Sequence, residues 1–242
     1  ASENFSTAGL LFLVTMTLLW IGQAPKKFLL WVTLPLMGMA ITGFVVAKNM
    51  SKETAVEISE KVSILHRLPT WVKRIQNGND LPEDPKKYDV ANNQQVAHAK
   101  IAVATCNIVG KGPGKSVERD YLPMAFSDYI YAIIIEEGGI ESALLVVFLY
   151  LFRLYRAWRI AGKCATRFPA YLIMGLSLML VLQALINMGV AVGLLPVTGQ
   201  PLPLVSKGGT STIITCASIG LILSVSRSAR QIEQRNPVLV QP

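Results

Sequence analysis

The sequence predicts an all-α polytopic membrane protein with about five transmembrane helices and one long extracytoplasmic loop. Three observations lead there. Hydrophobic residues make up 52% of the 242 residues, with a mean hydropathy of +0.44. Apolar runs recur at lengths that cover a bilayer. Lys and Arg collect in alternate short connections, as the positive-inside rule requires of cytoplasmic turns.

The expected spans lie near Thr7 to Ile21, Phe28 to Val46, Ile140 to Trp158, Ala170 to Val192 and Thr210 to Val225. Ser2 to Thr7 supplies hydroxyl and amide side chains suited to capping the first. Pro35, Gly38 and Gly43 predict a kink or close helix contact in the second. Lys26 and Lys27 put the first turn inside; Arg153, Arg156, Arg159, Lys163 and Arg167, then Arg227, Arg230 and Arg235, fall inside by alternation. The chain divides into 1–47 with two transmembrane helices, 48–137 as the long extracytoplasmic loop with interfacial helices, and 138–242 with three transmembrane helices and a cytoplasmic tail.

The formal net charge is +8, and part of it sits in the long loop, where the positive-inside rule no longer acts. Cations there are either solvated or meet an anionic headgroup or pyrophosphate. Nucleic acid is not an expected partner outside a membrane. Cys106, Cys164 and Cys216 fall in an outer segment, an inner loop and a span, so no pair is placed to form a disulfide.

Within the loop, Lys52, Glu53, Glu57, Glu60 and Lys61 recur at helical spacing, as on an interfacial helix, and Trp71 beside Lys73 and Arg74 reads as an anchor at the headgroup layer. Asp80, Glu83, Asp84 and Asp89 crowd a proline-containing turn region. Most such carboxylates are solvated, but one could serve as a general base. Gln94 to Val109 is Ala-rich and helical in pattern; His98 within it has no acid one turn away to orient it and reads as a hydrogen-bonded interface residue.

Gly110-Lys111-Gly112-Pro113-Gly114-Lys115-Ser116 resembles a phosphate loop only superficially, because the first glycine of GxxxxGK[ST] would fall on Val109. Its amides could still cup a pyrophosphate as a nest. Asp128, Glu136 and Glu137, at the mouth of a span, must face a polar cavity or anchor cations. Gln183 and Asn187, four apart, share a helix face and suit interhelical hydrogen bonding or substrate contact. In Leu194 to Ser211, Pro196, Pro201 and Pro203 forbid a continuous helix, while Gly208, Gly209, Thr210 and Ser211 bring backbone and hydroxyl donors to the start of the next span.

That last string, LLPVTGQPLPLVSKGGTS, closely resembles the signature of the SEDS family (FtsW, RodA and SpoVE), with Lys207 standing where the family usually shows an aromatic. The resemblance extends over the GKGPGKS turn, Tyr121 to Gly139, and Gln183 with Asn187, and runs from about Gln95 to Arg227; Phe126 and Ser127 replace the family's usual His and Thr. The GKGPG and VSKGG strings look most like FtsW of Bacteroidetes-type bacteria. The match corresponds roughly to the C-terminal half of the family's fold, so further spans are expected upstream of Ala1.

The resemblance implies polymerisation of peptidoglycan at the outer face of the bacterial cytoplasmic membrane, with the long loop facing the periplasm. The GlcNAc 4-hydroxyl of one lipid II attacks the anomeric carbon of another lipid-linked chain, and undecaprenyl pyrophosphate leaves. Such a displacement needs a carboxylate to accept the hydroxyl proton and cations or amides to stabilise pyrophosphate. The family's base is an Asp in this loop. Asp84 keeps its Asp-Pro dipeptide, whereas Asp89 keeps its distance to Gln95 and is preferred.

Lys73, Arg74, Lys100, Lys111 and Lys115 are candidate pyrophosphate contacts, and Asp128, Glu136, Gln183, Asn187 and residues Ser206 to Ser211 complete the candidate substrate site. A divalent cation at the pyrophosphate is chemically reasonable, yet no ligand cluster identifies one, so the cofactor stays unassigned. Expected partners are lipid II, membrane lipids, a class B penicillin-binding transpeptidase and other divisome proteins. Two alternatives stay open: a lipid II flippase using a polar path without a base, and a non-catalytic scaffold of a division or elongation complex.

Overall fold

The computed structural model describes residues 5–25, 27, 29–35, 38, 42, 45, 94–106, 108–122, 126–164, 166–195 and 197–235. Among these, all regular structure is helical: α1 (Phe5–Ile21), α2 (Gln94–Ala104), a single 3₁₀ turn (Glu118–Asp120), α3 (Ile130–Ala161), α4 (Arg167–Ala191) and α5 (Gly209–Arg235). Residues 29–35 are also helical. Arg167–Ala191 and Gly209–Gln231 are long and apolar enough to cross a membrane, and Ser6–Ile21 is a shorter apolar helix.

α4 is the central post. Its side facing α1 buries Met174 and Leu178 against Leu10 and Val14. Its other side buries Val181, Ala184, Met188 and Val190 with Tyr131, Ile135 and Tyr150 of α3 and Ala99 and Ala102 of α2. Small residues at the α2 contact, Ala99 and Ala102, let that short helix sit close. α5 buries far less of its apolar window than α4, and Leu144, Leu145, Phe148 and Leu149 of α3 are exposed, as suits surfaces facing hydrocarbon or further helices.

α3 begins earlier than the apolar run at Ile140 suggests. Ile130 to Gly138 form a helical segment of their own, continued after a break at Gly139 (φ 72°, ψ −171°), a conformation open only to glycine. The segment is helical because Tyr131, Ala132, Ile133 and Ile135 are all buried. Ser142 repairs the break: its Oγ donates to the carbonyls of Ile134 (2.9 Å) and Gly139 (2.8 Å).

Val197 to Lys207, non-helical as Pro201 and Pro203 require, folds back over the end of α4. Asn187, 2% exposed, donates from Nδ2 to the carbonyls of Asp128 (2.8 Å) and Gln200 (2.7 Å), and Gln183 donates from Nε2 to that of Pro201 (3.1 Å). The two side chains share a face as expected, but they hold a loop rather than another helix. Tyr150 donates its hydroxyl to the Pro203 carbonyl. From α1, Ser6 Oγ donates to the Thr198 carbonyl (3.1 Å), and Gln200 Nε2 donates to Thr7 Oγ1 (2.7 Å).

Replacing Asn187 by Leu keeps the volume but leaves two loop carbonyls without their donor, at a cost of about 2–4 kcal/mol. The full-length protein in detergent is expected to melt earlier and to be cleaved faster between Val197 and Ser206; unchanged melting and proteolysis would show the amide to be dispensable.

Candidate functional site at the loop end of the bundle

The GKGPGKS turn is fastened to the break in α3. Gly110, at φ 72°, passes so close that a Cβ there would lie 2.4 Å from both the Glu137 carbonyl oxygen and the Gly139 nitrogen. Only glycine fits such a crossing. Lys111 N–H donates to the Glu136 carbonyl (3.0 Å) and Gly112 N–H to that of Glu137 (2.8 Å). These amides, together with Lys115 N–H on the Gly112 carbonyl, are occupied inside the protein, so the turn is a structural clasp rather than an open nest.

The Glu136 side chain is wholly buried at the clasp's centre. Lys111 Nζ donates to its Oε1 at 2.6 Å, Ser116 Oγ to its Oε2 at 2.5 Å and Val117 N–H to Oε1 at 3.1 Å. Ser116 in turn accepts from Arg119 N–H (3.1 Å), which fixes the start of the 3₁₀ turn. Burial by itself opposes ionisation of this carboxyl; the hydrogen bonds from Lys111, Ser116 and Val117 and the ammonium charge outweigh it and hold its pKa below the ordinary 4.5. Glu136 precedes the break and lies outside the apolar run that follows.

His98 has an acid after all. Glu118, on the 3₁₀ turn, accepts from Nδ1 at 2.6 Å, and Tyr121 stacks on the ring with centroids 5.6 Å apart. Sequence inspection one turn to either side of His98 misses this partner, which comes from twenty positions away. The bond orients the imidazole and leaves Nε2 as its second polar position.

The remaining candidates gather around the same end. The Lys100 stem packs over Gly193, and Asp128 Oδ2 lies beside Gly199, with Oδ1 accepting from Ser127 Oγ at 3.0 Å. Ser206 Oγ donates to the Ser127 carbonyl and accepts from Leu202 N–H (2.8 Å), while Lys207 N–H donates to the Phe126 carbonyl (2.8 Å). Lys115 and Lys207 have exposed side chains; Gly209 and Thr210 are exposed at the start of α5, and Gly208 and Ser211 are half-buried beside them. Lys111, by contrast, commits its charge to Glu136. Asp84, Asp89, Lys73 and Arg74 lie outside the described residues, as do Trp71 and the acidic turn. Among the described residues no group of three His, Cys, Asp or Glu could hold a metal ion, and Cys106, Cys164 and Cys216 are free.

Two helices long and apolar enough to cross a membrane, with buried amides that tie down a non-helical loop, are consistent with a membrane protein that has a polar face at one end. The chain belongs to the FtsW/RodA/SpoVE family, described as cell cycle proteins, which matches residues 1–231. It is 37% identical over 154 residues to a probable peptidoglycan glycosyltransferase FtsW of Bacillus subtilis, covering 63% of this chain and 38% of that protein. Another FtsW, of Enterococcus hirae, is 31% identical over 200 residues, or 82% of this chain and 49% of the relative. The chain thus spans less than half the length of these relatives. Among solved structures, a chain of a peptidoglycan synthase complex that coordinates polymerization and crosslinking superposes with a TM-score of 0.63 at 25% identity, covering 95% of this chain and 57% of that one.

Replacing Glu136 by Gln keeps the shape but removes the charge that Lys111 neutralises; Lys111 is 31% exposed and can turn to water, so the loss is about 2 kcal/mol. Because the folded-state pKa is depressed, the stabilisation is complete above pH 4.5 and disappears as pH falls through the folded value. Melting curves of wild type and Glu136→Gln should therefore stay apart from about pH 8 to pH 5 and converge below; parallel curves down to pH 3 would contradict the ion pair. Gly110→Ala should be worse than Glu136→Gln at every pH, since backbone, not a flexible side chain, blocks its Cβ.

Proposed function

We propose that this chain forms the C-terminal part of a peptidoglycan glycosyltransferase that polymerises lipid II into glycan strands during cell division. In this reading Asp89, with Asp84 as the second candidate, takes the proton from the attacking GlcNAc 4-hydroxyl. Undecaprenyl pyrophosphate leaves toward the cations of the loop end, with Lys100, Lys115 and Lys207 the candidate contacts, and Lys73 and Arg74 candidates outside the described residues. Asp128 and the Gly208 to Ser211 backbone border the acceptor side. A class B penicillin-binding transpeptidase is the proposed partner, in line with the peptidoglycan synthase complex that shares the fold.

One observation carries the reading beyond family membership: α2 begins at Gln94, soon after Asp89, and packs into the core that holds the proline-rich loop, with Ala99, Ala102 and Leu202 in one cluster. This supports Asp89 over Asp84, since a helix held in the core is a firmer tether for a nearby base than a proline-containing turn. Nothing comparable favours a transport path, because Gln183 and Asn187 are bonded to loop carbonyls and Glu136 to Lys111.

The test is lipid II polymerisation by the full-length protein with its transpeptidase partner. Loss of a general base costs about 10²–10⁴-fold, so Asp89→Ala should polymerise at least about a hundredfold more slowly, with Asp84→Ala close to wild type. The reverse pattern moves the base to Asp84. Full polymer from both variants removes Asp84 and Asp89 from the mechanism and points to another carboxylate, and none from well-folded wild type returns the scaffold or flippase.

A further inference from the structure

The opposite end of the bundle carries a second polar feature that glycan chemistry does not use. Between α3 and α5, with α4 behind, two adjoining cavities of about 620 and 710 Å³ share Phe152, Arg156, Ile160, Ser226 and Arg230 and so form one groove. Each cavity alone is the size of a small-molecule site. Arg153, Arg156, Arg159 and Lys163 line it from α3 and the turn beyond, and Arg227 and Arg230 from α5. Among the described residues no Asp or Glu lines it. Six like charges around one groove repel one another unless an anion sits among them.

The deeper wall adds an independent sign of a ligand. Ser177 of α4 lines the groove, is 1% exposed, and its Oγ has no hydrogen-bond partner. A buried hydroxyl is ordinarily satisfied, so this donor is left for something the groove receives. Toward the middle of the bundle the lining turns apolar, with Ile219 and Leu223 of α5 opposite Phe152. Phe152 and Leu223 are 47% and 63% exposed. The groove is therefore cationic at one end and apolar at the other, which suits an amphiphile and not a freely soluble ion.

We infer that this groove binds the phosphate headgroup of an anionic phospholipid, with Arg156 and Arg230 clamping the phosphate, Ser177 donating to it, and the acyl chain starting along Phe152 and Leu223. Basic pockets between membrane helices recognise such headgroups through the same charge-assisted bonds. By the positive-inside pattern this end faces the cytoplasm, where the lipid would act as a wedge between α3 and α5, two helices that touch little directly.

Native mass spectrometry of the full-length protein tests it, with added phosphatidylglycerol against phosphatidylethanolamine of identical chains. Wild type should retain the anionic lipid preferentially. Arg156→Gln with Arg230→Gln should lower that preference about tenfold or more, and Ser177→Ala by a few-fold, while Arg119→Gln at the other end changes nothing. Equal retention of both lipids, as when another segment of the full-length protein fills the groove, overturns the site. So does an undiminished preference in the double variant. If the double variant does not fold, Arg230→Gln and Ser177→Ala decide in the same way. Inorganic phosphate separates the sources: if it raises the melting temperature as much as the anionic lipid does, the groove takes a soluble anion and the lipid assignment falls.

Discussion

A carboxylate with no exposed surface must be matched by donors, and Glu136 is matched by three, all from the segment between Lys111 and Val117. The loop cannot move away without leaving a buried charge, and α3 cannot straighten without driving Gly139 into the Gly110 backbone. The clasp and the break in α3 therefore require each other. With them fixed, the following chain is placed as well: the 3₁₀ turn carries Glu118 to His98, and Tyr129 and Leu122 reach the shared core.

The second support is α4, whose amide side chains meet carbonyls that no helix partner could serve. Proline interrupts the loop's own hydrogen bonding, and Asn187, Gln183 and Tyr150 supply donors in its place. The loop thus closes one end of the bundle as a rigid lip between α1 and the turn at Asp128. Under the proposed function this lip is a fixed border against which a reacting chain is aligned, the usual way in which a rigid support gives a reacting pair its geometry.

The two ends of the bundle use charge in opposite ways. At the loop end, acids and cations are interleaved and largely answer each other, as in Lys111 with Glu136 and His98 with Glu118. At the other end, cations from α3 and α5 line a groove without acids among the described residues. A protein with its own counter-ions holds shape, whereas a cluster without them waits for an anion from outside.

By itself the sequence determined which apolar runs are helical and that the proline-rich string between the last two is not. The apolar runs gave α1 and α4 to within a few residues and the start of α5, which continues well past the expected Val225 to Arg235; the prolines gave the non-helical loop, and the spacing of Gln183 and Asn187 gave their common face. Those are local properties, set by periodicity and by what proline and bilayer-length apolar runs allow. The partners were decided only by the tertiary structure. Glu118 reaches His98 from twenty positions away and Lys111 reaches Glu136 from twenty-five, while Gln183 and Asn187 bond a loop and not a helix. The helical segment ahead of Gly139 was likewise invisible, since its Glu136-Glu137-Gly138-Gly139 ending reads as a loop until the burial of Ile133, Ile135 and Glu136 is seen. Side-chain pairing across such separations depends on which segments pack together, and no local pattern carries that information.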